Sequence, residues 1–218
     1  MRIQEAAAKI EEERVVGIIR LDDLTNAVEI SAALLRGGIG VQEFTLSNPA
    51  AFSALKKVRS EIHEFSDGSC LLGIGSIRTL EQAKEAIACN VHFVVTPIFV
   101  PEVVVACVEA SVPVLCGALT PTEIAQATKA GATMVKVFPA RTFGPNYIQD
   151  LLAPMPELSL VPTGGVNLEN MADYFAAGAK AVGIGGNLVA SDRVQAQDWE
   201  AIEIGAAKYV EAAKREAN

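Results

Sequence analysis

Short apolar runs alternate with helix-forming segments along nearly the whole chain. Eight runs rich in Val, Ile and Leu recur, and each is followed by a loop and an Ala-rich segment with helical periodicity. The runs lack polar alternation, which is typical of parallel strands covered on both faces. The pattern predicts strands at 15–20, 41–46, 70–76, 92–97, 112–118, 134–139, 158–165 and 181–186.

The segments between these runs carry helix start and stop signals. Several begin with Pro or an N-capping Ser, Thr or Asn, and Gly or Asn stands just past their ends. Unbroken strand–helix units of this kind predict an α/β fold, a (β/α)8 TIM barrel, with a doubly wound open sheet as the alternative. An extra N-terminal helix is predicted at 2–14 and a final helix at 198–217. No linker divides the chain, so we expect residues 1–218 to form a single barrel domain.

The charge and hydropathy of the chain bear on its partners and its location. The net charge is −8, the sequence pI is about 4.9, and no cluster of Lys and Arg occurs, so nucleic acid is not an expected partner. No apolar stretch is long enough to cross a membrane, and the N-terminus lacks the apolar core of a signal peptide. We therefore expect a cytoplasmic protein with no membrane partner.

Neither a metal nor an organic cofactor is expected. The 4 cysteines lack metal-ligand spacing and the chain has 2 histidines, so a Cys/His zinc site is not predicted. The stretch GIGSIR at 73–78 lacks the third glycine of a dinucleotide fingerprint. An anionic ligand must then be bound by local geometry against an unfavourable overall field.

A lysine interrupts the sixth apolar run. In MVKVFP, Lys136 alternates with Val135 and Val137, so it points into the barrel if the valines face the helices. Burial lowers the pKa of an amine toward the neutral form, which is the form that attacks a carbonyl. The alternative is a structural lysine that pairs with a carboxylate or reaches the barrel rim.

Glu43 is a second ionisable residue inside an apolar run. It lies in VQEFTL and shares its strand face with Thr45, a candidate substrate-binding residue. A carboxyl group whose pKa is raised by desolvation can give and take a proton near neutrality. With Lys136 it predicts a nucleophile and a proton shuttle, and the alternative is a buried ion pair with a structural role.

Glycine-rich turns follow the last two predicted strands. They are PTGGV at 162–166 and GIGGN at 183–187, and they lie where barrels of this kind often hold a phosphate. Tight strand–helix turns would explain either stretch alone. Three weaker candidates follow the first three strands and would bind a carboxylate or a hydroxyl group: Arg20, Ser47 and Ser76.

Several stretches together resemble the 2-keto-3-deoxy-6-phosphogluconate and 4-hydroxy-2-oxoglutarate aldolase family. They occur in the family's order between about Val15 and Val189, and they are QEFTLSNP, LLGIGSI, FVVTP, VKVFPA, FGPNYIQDL, VPTGGVNLEN and AVGIGGNLV. The resemblance implies a metal-independent class I aldolase, typically a homotrimer. Such an enzyme cleaves a 2-keto-3-deoxy sugar acid to pyruvate and an aldehyde.

The resemblance also implies roles for single residues. Lys136 would form the Schiff base and Glu43 would be the general acid and base. Ser47 stands where many members have a carboxylate-binding arginine, a task that Arg20 would take over. The other positions carried over by motif are Thr163 and Ser76 near the pyruvate carboxylate, Pro97 and Phe138 around the pocket, and Gly164, Gly165, Gly185 and Gly186 at the distal phosphate, where some members have a serine in place of Gly186.

Two other functions stay open at this point. One is a phosphate-binding barrel isomerase or synthase that uses Glu43 as a base and Lys136 as an electrostatic clamp. The other is a non-catalytic binder of sugar phosphates. Among aldolase substrates, the sequence leaves phosphogluconate, phosphogalactonate and hydroxyglutarate types open, with the 6-phosphorylated gluconate derivative as the first expectation.

Overall fold

The computed structural model describes residues 3–215, and these contain one eight-stranded parallel sheet. Each strand lies beside its sequence neighbours, and the order around the sheet is β7-β6-β5-β4-β3-β2-β1-β8. A parallel bridge between Thr163 and Gly183 joins the two ends, so the fold is the predicted (β/α)8 barrel. The strands are β1 Val15–Ile19, β2 Val41–Thr45, β3 Leu71–Gly75, β4 Phe93–Val95, β5 Val114–Ala118, β6 Met134–Val137, β7 Leu160–Pro162 and β8 Val182–Ile184.

Residues 2, 216 and 217 of the two predicted terminal helices lie outside the described residues. Helices surround the barrel and alternate with the strands as the sequence pattern predicts. They are α1 Ile3–Glu13, α2 Ala27–Arg36, α3 Ala51–Glu61, α4 His63–Ser66, α5 Leu80–Ala88, α6 Pro101–Glu109, α7 Pro121–Lys129, α8 Pro145–Leu152, α9 Met171–Ala176, α10 Ser191–Gln195 and α11 Trp199–Arg215. The sequence pattern did not predict α4, α10 or a 3₁₀-helix at Ala140–Thr142, because elements this short contain too few positions to show a period. Among residues 3–215, every helix is too short or too polar to cross a membrane.

Helix α7 shows how the local sequence fixes the start of an element. The Thr120 hydroxyl accepts a hydrogen bond from the Glu123 backbone N–H at 3.4 Å, and the Glu123 carboxylate accepts one from the Thr120 N–H at 2.8 Å. This reciprocal capping box is followed by Pro121 in the first turn, where a proline has no hydrogen bond to lose. Gly131, with φ +98°, ends the segment in the left-handed conformation that favours glycine.

The sheet separates an outer apolar layer from an inner one. Val135 and Val137 pack in the outer layer with the surrounding helices, whereas Met134 packs inside the barrel with Leu71 and other inward-facing residues. Side chains alternate between the two faces along a strand. The predicted inward direction of Lys136, between the two valines, is therefore confirmed.

Helix α1 covers the N-terminal end of the barrel. Its buried residues Ala6 and Ile10 belong to the same apolar cluster as the inward-facing Val16, Val41 and Leu115. Burial of this surface stabilises the barrel by roughly 25 cal/mol per Å². Since this end is filled with apolar side chains, the polar inward-facing residues lie nearer the C-terminal ends of the strands, where barrel enzymes place their chemistry.

Candidate active site

A cavity of about 360 Å³ lies at the C-terminal ends of β1, β6, β7 and β8. The predicted site residues that line it are Arg20, Lys136, Phe138, Thr163, Gly164, Gly165, Gly185 and Gly186. The lining is completed by Ile18, Arg141, Val166, Gly183 and Asn187, which the sequence reasoning did not single out. The cavity therefore brings together the predicted lysine and both glycine turns.

Lys136 forms the floor of this cavity. Its side chain is 5% exposed, and its Nζ lies 5.3 Å from the centroid of the Phe138 ring. Burial lowers the pKa of Lys136 from its ordinary value of 10.5; the Glu43 carboxylate opposes this shift and Arg20 adds to it. The environment thus favours the neutral amine over the ammonium ion.

Glu43 lies deeper in the barrel than the cavity lining. It is 1% exposed and sits in β2 between Ile18 of β1 and Gly73 of β3. Its carboxyl group packs against Gly75, where any side chain would overlap Glu43 Oε1. Burial raises the pKa of Glu43 above its ordinary 4.5, and the charges of Lys136 and Arg20 oppose this rise.

Lys136 and Glu43 interact through their charges without forming a salt bridge. Within the described part of the chain, neither group makes a hydrogen bond or ion pair, and Glu43 Oε1 is buried without a hydrogen-bond partner. A buried ion pair offsets its desolvation cost only with close contact and supporting hydrogen bonds. The two groups therefore lack the geometry of the structural ion pair that the sequence left open as an alternative.

The two glycine turns form the side of the cavity opposite β2–β4. Gly164 and Gly165 have φ values of +87° and +92°, a backbone conformation that residues other than glycine rarely adopt. In the second turn, the carbonyl of Gly185 accepts hydrogen bonds from the N–H groups of residues 188 and 189 at 2.8 and 3.1 Å. Turns of this composition can present backbone N–H groups to an anion.

Thr163 links the first turn to the barrel wall. Its N–H donates to the Val137 carbonyl at 3.0 Å, and its hydroxyl donates to the Val161 carbonyl at 3.3 Å. Gly183 on the neighbouring strand leaves the space that the Thr163 hydroxyl occupies, because a Cβ there would overlap it. The strand pairing therefore fixes Thr163 beside Lys136 in the cavity lining.

Other predicted site residues lie outside the lining of this cavity. Thr45 is 1% exposed, and its hydroxyl hydrogen-bonds Ser47 Oγ at 2.9 Å and the Ile19 carbonyl at 3.4 Å. Ser76 follows β3 in a left-handed conformation, with φ 64°. Pro97 packs its backbone against Gly117 of β5. Thr45 ends β2, and Ser76 and Pro97 follow β3 and β4, so these residues lie with Glu43 on the β2–β4 part of the barrel.

The sequence reasoning missed two polar residues of the lining. Asn187 is the last residue of the quoted GIGGN stretch, and its side chain donates to the Val166 carbonyl at 3.5 Å. Arg141 comes directly after FPA, in the loop that leaves β6. A basic residue in a loop at the C-terminal end of a barrel strand was the signal that would have identified it.

The lining carries positive charge within an acidic protein. Arg20 and Arg141 contribute to it, and among residues 3–215 no carboxylate lines the cavity, although the net charge of the chain is −8. A cleft lined by one sign of charge concentrates ligands of the opposite sign. The same part of the chain contains no group of three or more His, Cys, Asp or Glu residues placed to hold a metal ion.

Comparison with known proteins identifies relatives along nearly the whole chain. Residues 6–204 match the family described as KDPG and KHG aldolase, where the abbreviations stand for 2-keto-3-deoxy-6-phosphogluconate and 2-keto-4-hydroxyglutarate. The 2-dehydro-3-deoxy-phosphogluconate aldolase of Treponema pallidum (strain Nichols) is 35% identical over 195 residues, which cover 88% of this chain and 90% of that protein.

Two solved structures are similar along the same length. One, described as a native KDPGal structure, gives a TM-score of 0.85 at 28% identity and covers 93% of this chain and 95% of that one. The other is KDPG aldolase from Legionella pneumophila with pyruvate captured at low pH as a covalent carbinolamine intermediate. It gives a TM-score of 0.85 at 26% identity and covers 93% of this chain and 96% of its own.

Proposed function

Since this chain belongs to the KDPG and KHG aldolase family, we propose that it cleaves 2-keto-3-deoxy-6-phosphogluconate to pyruvate and glyceraldehyde 3-phosphate, with Lys136 as the Schiff-base residue. The observation that carries this assignment is the Lys136 amine, which is buried and lines the cavity without a contacting counter-ion. Its lowered pKa favours the neutral, nucleophilic form. The reaction class is that of a class I aldolase.

The first stage joins the substrate to the enzyme. The neutral Lys136 amine attacks the C2 carbonyl of the keto acid and gives a carbinolamine, which loses water to form an imine. Proton transfers to and from the oxygen and nitrogen require an acid and a base in the site. We assign both tasks to Glu43, whose pKa is raised by burial and which interacts electrostatically with Lys136.

The second stage breaks and reprotonates the carbon chain. A base removes the proton of the C4 hydroxyl group, the C3–C4 bond breaks, and its electron pair moves into the protonated imine to give an enamine. Glyceraldehyde 3-phosphate leaves as the aldehyde. Protonation of the enamine at C3 gives the pyruvate imine, which water hydrolyses to pyruvate and the free amine of Lys136. Glu43 is the proposed proton carrier at both points.

We assign the carboxylate of the keto acid to Arg20 and to Thr163, whose hydroxyl proton would turn from the Val161 carbonyl to the bound carboxylate. Both line the cavity with Lys136, and a guanidinium group forms short, charge-assisted hydrogen bonds with a carboxylate. Ser47, where many family members have an arginine, hydrogen-bonds Thr45 at the end of β2 and lies outside the cavity lining. Arg20 therefore supplies a guanidinium group that position 47 lacks.

Arg20→Gln is expected to raise KM for pyruvate-forming substrates by about 10-fold, because a charge-assisted hydrogen bond to the carboxylate is lost. Arg78→Gln is the matched control, since Arg78 is exposed, follows β3 and lies outside the cavity lining. Steady-state kinetics of the two variants and the wild type provide the test. Equal KM values for all three would remove Arg20 from the carboxylate site.

A substrate panel tests the function as a whole. 2-Keto-3-deoxy-6-phosphogluconate, its galactonate epimer and 4-hydroxy-2-oxoglutarate are each incubated with the wild-type protein, and pyruvate is detected with lactate dehydrogenase. We expect pyruvate to be released from 2-keto-3-deoxy-6-phosphogluconate with the highest kcat/KM of the three compounds. Absence of pyruvate with all three would overturn the aldolase assignment. The protein would then be either an isomerase or synthase, or a non-catalytic binder of sugar phosphates.

We further propose that the chain forms a single domain, assembles as a homotrimer and acts in the cytoplasm. The family resemblance supports the trimer. Sedimentation equilibrium tests the trimer, because it gives a particle mass to compare with the 23.0 kDa of one chain.

A further inference from the structure

Arg141 is held against the first glycine turn of the active-site cavity. It lies in the 3₁₀-helix Ala140–Thr142, and its N–H donates to the Gly164 carbonyl at 2.9 Å while the Ala140 N–H donates to the Thr163 carbonyl at 2.8 Å. These two bonds join the loop after β6 to the loop after β7. The backbone of Arg141 is thereby fixed beside the turn that we assign to an anion.

The side chain of Arg141 also lies along this turn. A Cβ built on Gly165 would stand 2.5 Å from Arg141 Cβ and 3.5 Å from Arg141 Nε. Glycine at position 165 therefore leaves the space that the arginine occupies, besides allowing the φ of +92°. Arg141 lines the same cavity as Lys136 and the second turn, Gly185 and Gly186.

The charge of Arg141 is not neutralised within the chain. Among residues 3–215, its guanidinium group forms no ion pair and no hydrogen bond. Arg36 and Arg59 differ, since Arg36 binds the Glu203 carboxylate at 2.7 Å and Arg59 binds the carbonyls of Cys89 and Asn90 at 2.9 and 2.6 Å. In a chain of net charge −8, an arginine that faces a cavity without a carboxylate partner is available to an anionic ligand.

The chemistry of the cavity selects the kind of anion. Lys136 fixes the keto carbon at the floor, so the group that meets the glycine turns lies at the far end of the substrate. Backbone N–H groups of such turns and a planar guanidinium together match the several acceptor oxygens of a phosphate group. We propose that Arg141 binds the distal phosphate of the substrate and sets the preference for phosphorylated over unphosphorylated 2-keto-3-deoxy acids; this rests on the proposed function.

The test compares Arg141→Gln with the matched control Arg78→Gln, which removes the same charge from the same end of the barrel. Substrates are 2-keto-3-deoxy-6-phosphogluconate and unphosphorylated 2-keto-3-deoxygluconate, and inorganic phosphate serves as the competing anion. We expect Arg141→Gln to raise KM for the phosphorylated substrate about 10-fold with kcat nearly unchanged, and to weaken inhibition by phosphate to a similar degree. For the unphosphorylated substrate, kcat/KM should equal that of the wild type.

The outcomes separate this inference from the aldolase assignment. Trapping of pyruvate on the wild type by borohydride reports on the Schiff-base chemistry and not on phosphate binding, since pyruvate has no phosphate. If wild type and Arg141→Gln trap pyruvate equally but have the same KM for the phosphorylated substrate, Arg141 is not a phosphate ligand. An equal loss of kcat/KM for both substrates would also overturn the proposal, because it would indicate that Arg141 supports the fold of the loop and does not bind phosphate. Failure of the wild type to trap pyruvate would instead contradict the proposed function.

Discussion

Lys136→Arg is expected to lower kcat by at least about 10⁴-fold, because a guanidinium group cannot form an imine with the keto carbon. The substitution retains the positive charge, so it separates imine chemistry from electrostatic clamping. An isomerase or synthase that uses Lys136 only for its charge would keep much of its activity. Turnover is measured as pyruvate release with lactate dehydrogenase.

Lys136→Met provides the control for folding. The amine is 5% exposed and has no contacting counter-ion in the described chain, so replacing it with an apolar side chain of similar length removes a desolvation cost. We expect a Tm equal to or above that of the wild type, with no turnover. A clearly lower Tm would show that Lys136 contributes to stability and would weaken its assignment as a residue kept for chemistry.

Glu43→Gln is expected to lower kcat by about 10²- to 10⁴-fold, the usual contribution of a positioned general acid or base. Glutamine has nearly the shape of the glutamic acid side chain and therefore keeps the contact with Gly75. Burial raises the pKa of Glu43, so its contribution to stability is present below its unfolded pKa and is lost as the pH rises through the folded pKa. At higher pH the variant should thus be at least as stable as the wild type. Activity close to that of the wild type would exclude Glu43 as the proton carrier.

The pH dependence of pyruvate capture gives Glu43 and Arg20 opposite signatures. Because the pKa of Lys136 is lowered by burial, the midpoint of capture should lie below pH 10.5. The Glu43 carboxylate raises that pKa and Arg20 lowers it, so Glu43→Gln should move the midpoint to lower pH and Arg20→Gln to higher pH.

Much of the barrel could be predicted from the sequence because its rules are local. Apolar runs without alternation mark buried parallel strands, and caps such as Thr120 with Glu123 mark where a helix begins. The direction of Lys136 followed from the period of two along a strand, which holds wherever the valines beside it face the helices. These features depend on neighbours in sequence, so the chain alone reveals them.

The shape of the site could not be predicted, because it depends on contacts between strands. The glycines of GIGSIR were considered only for a nucleotide motif, which they lack. In the structure, Gly73 leaves space for the Phe93 ring and Gly75 for the Glu43 carboxyl group. No pattern of neighbouring residues predicts that the cavity lies between β1 and β6–β8, or that Ser47 lies outside its lining. The loop after β6 could have suggested Arg141 as a site residue, but its place against the first glycine turn depends on hydrogen bonds to a turn that follows the next strand.

A covalent imine between Lys136 and the keto carbon can be trapped by reduction and located by mass spectrometry. The wild-type protein is incubated with pyruvate, reduced with borohydride, digested and analysed by mass spectrometry. We predict one reduced pyruvate adduct on the peptide that contains Lys136, and none in Lys136→Met. An adduct on another lysine, or no adduct in the wild type, would contradict the assignment of the Schiff base to Lys136.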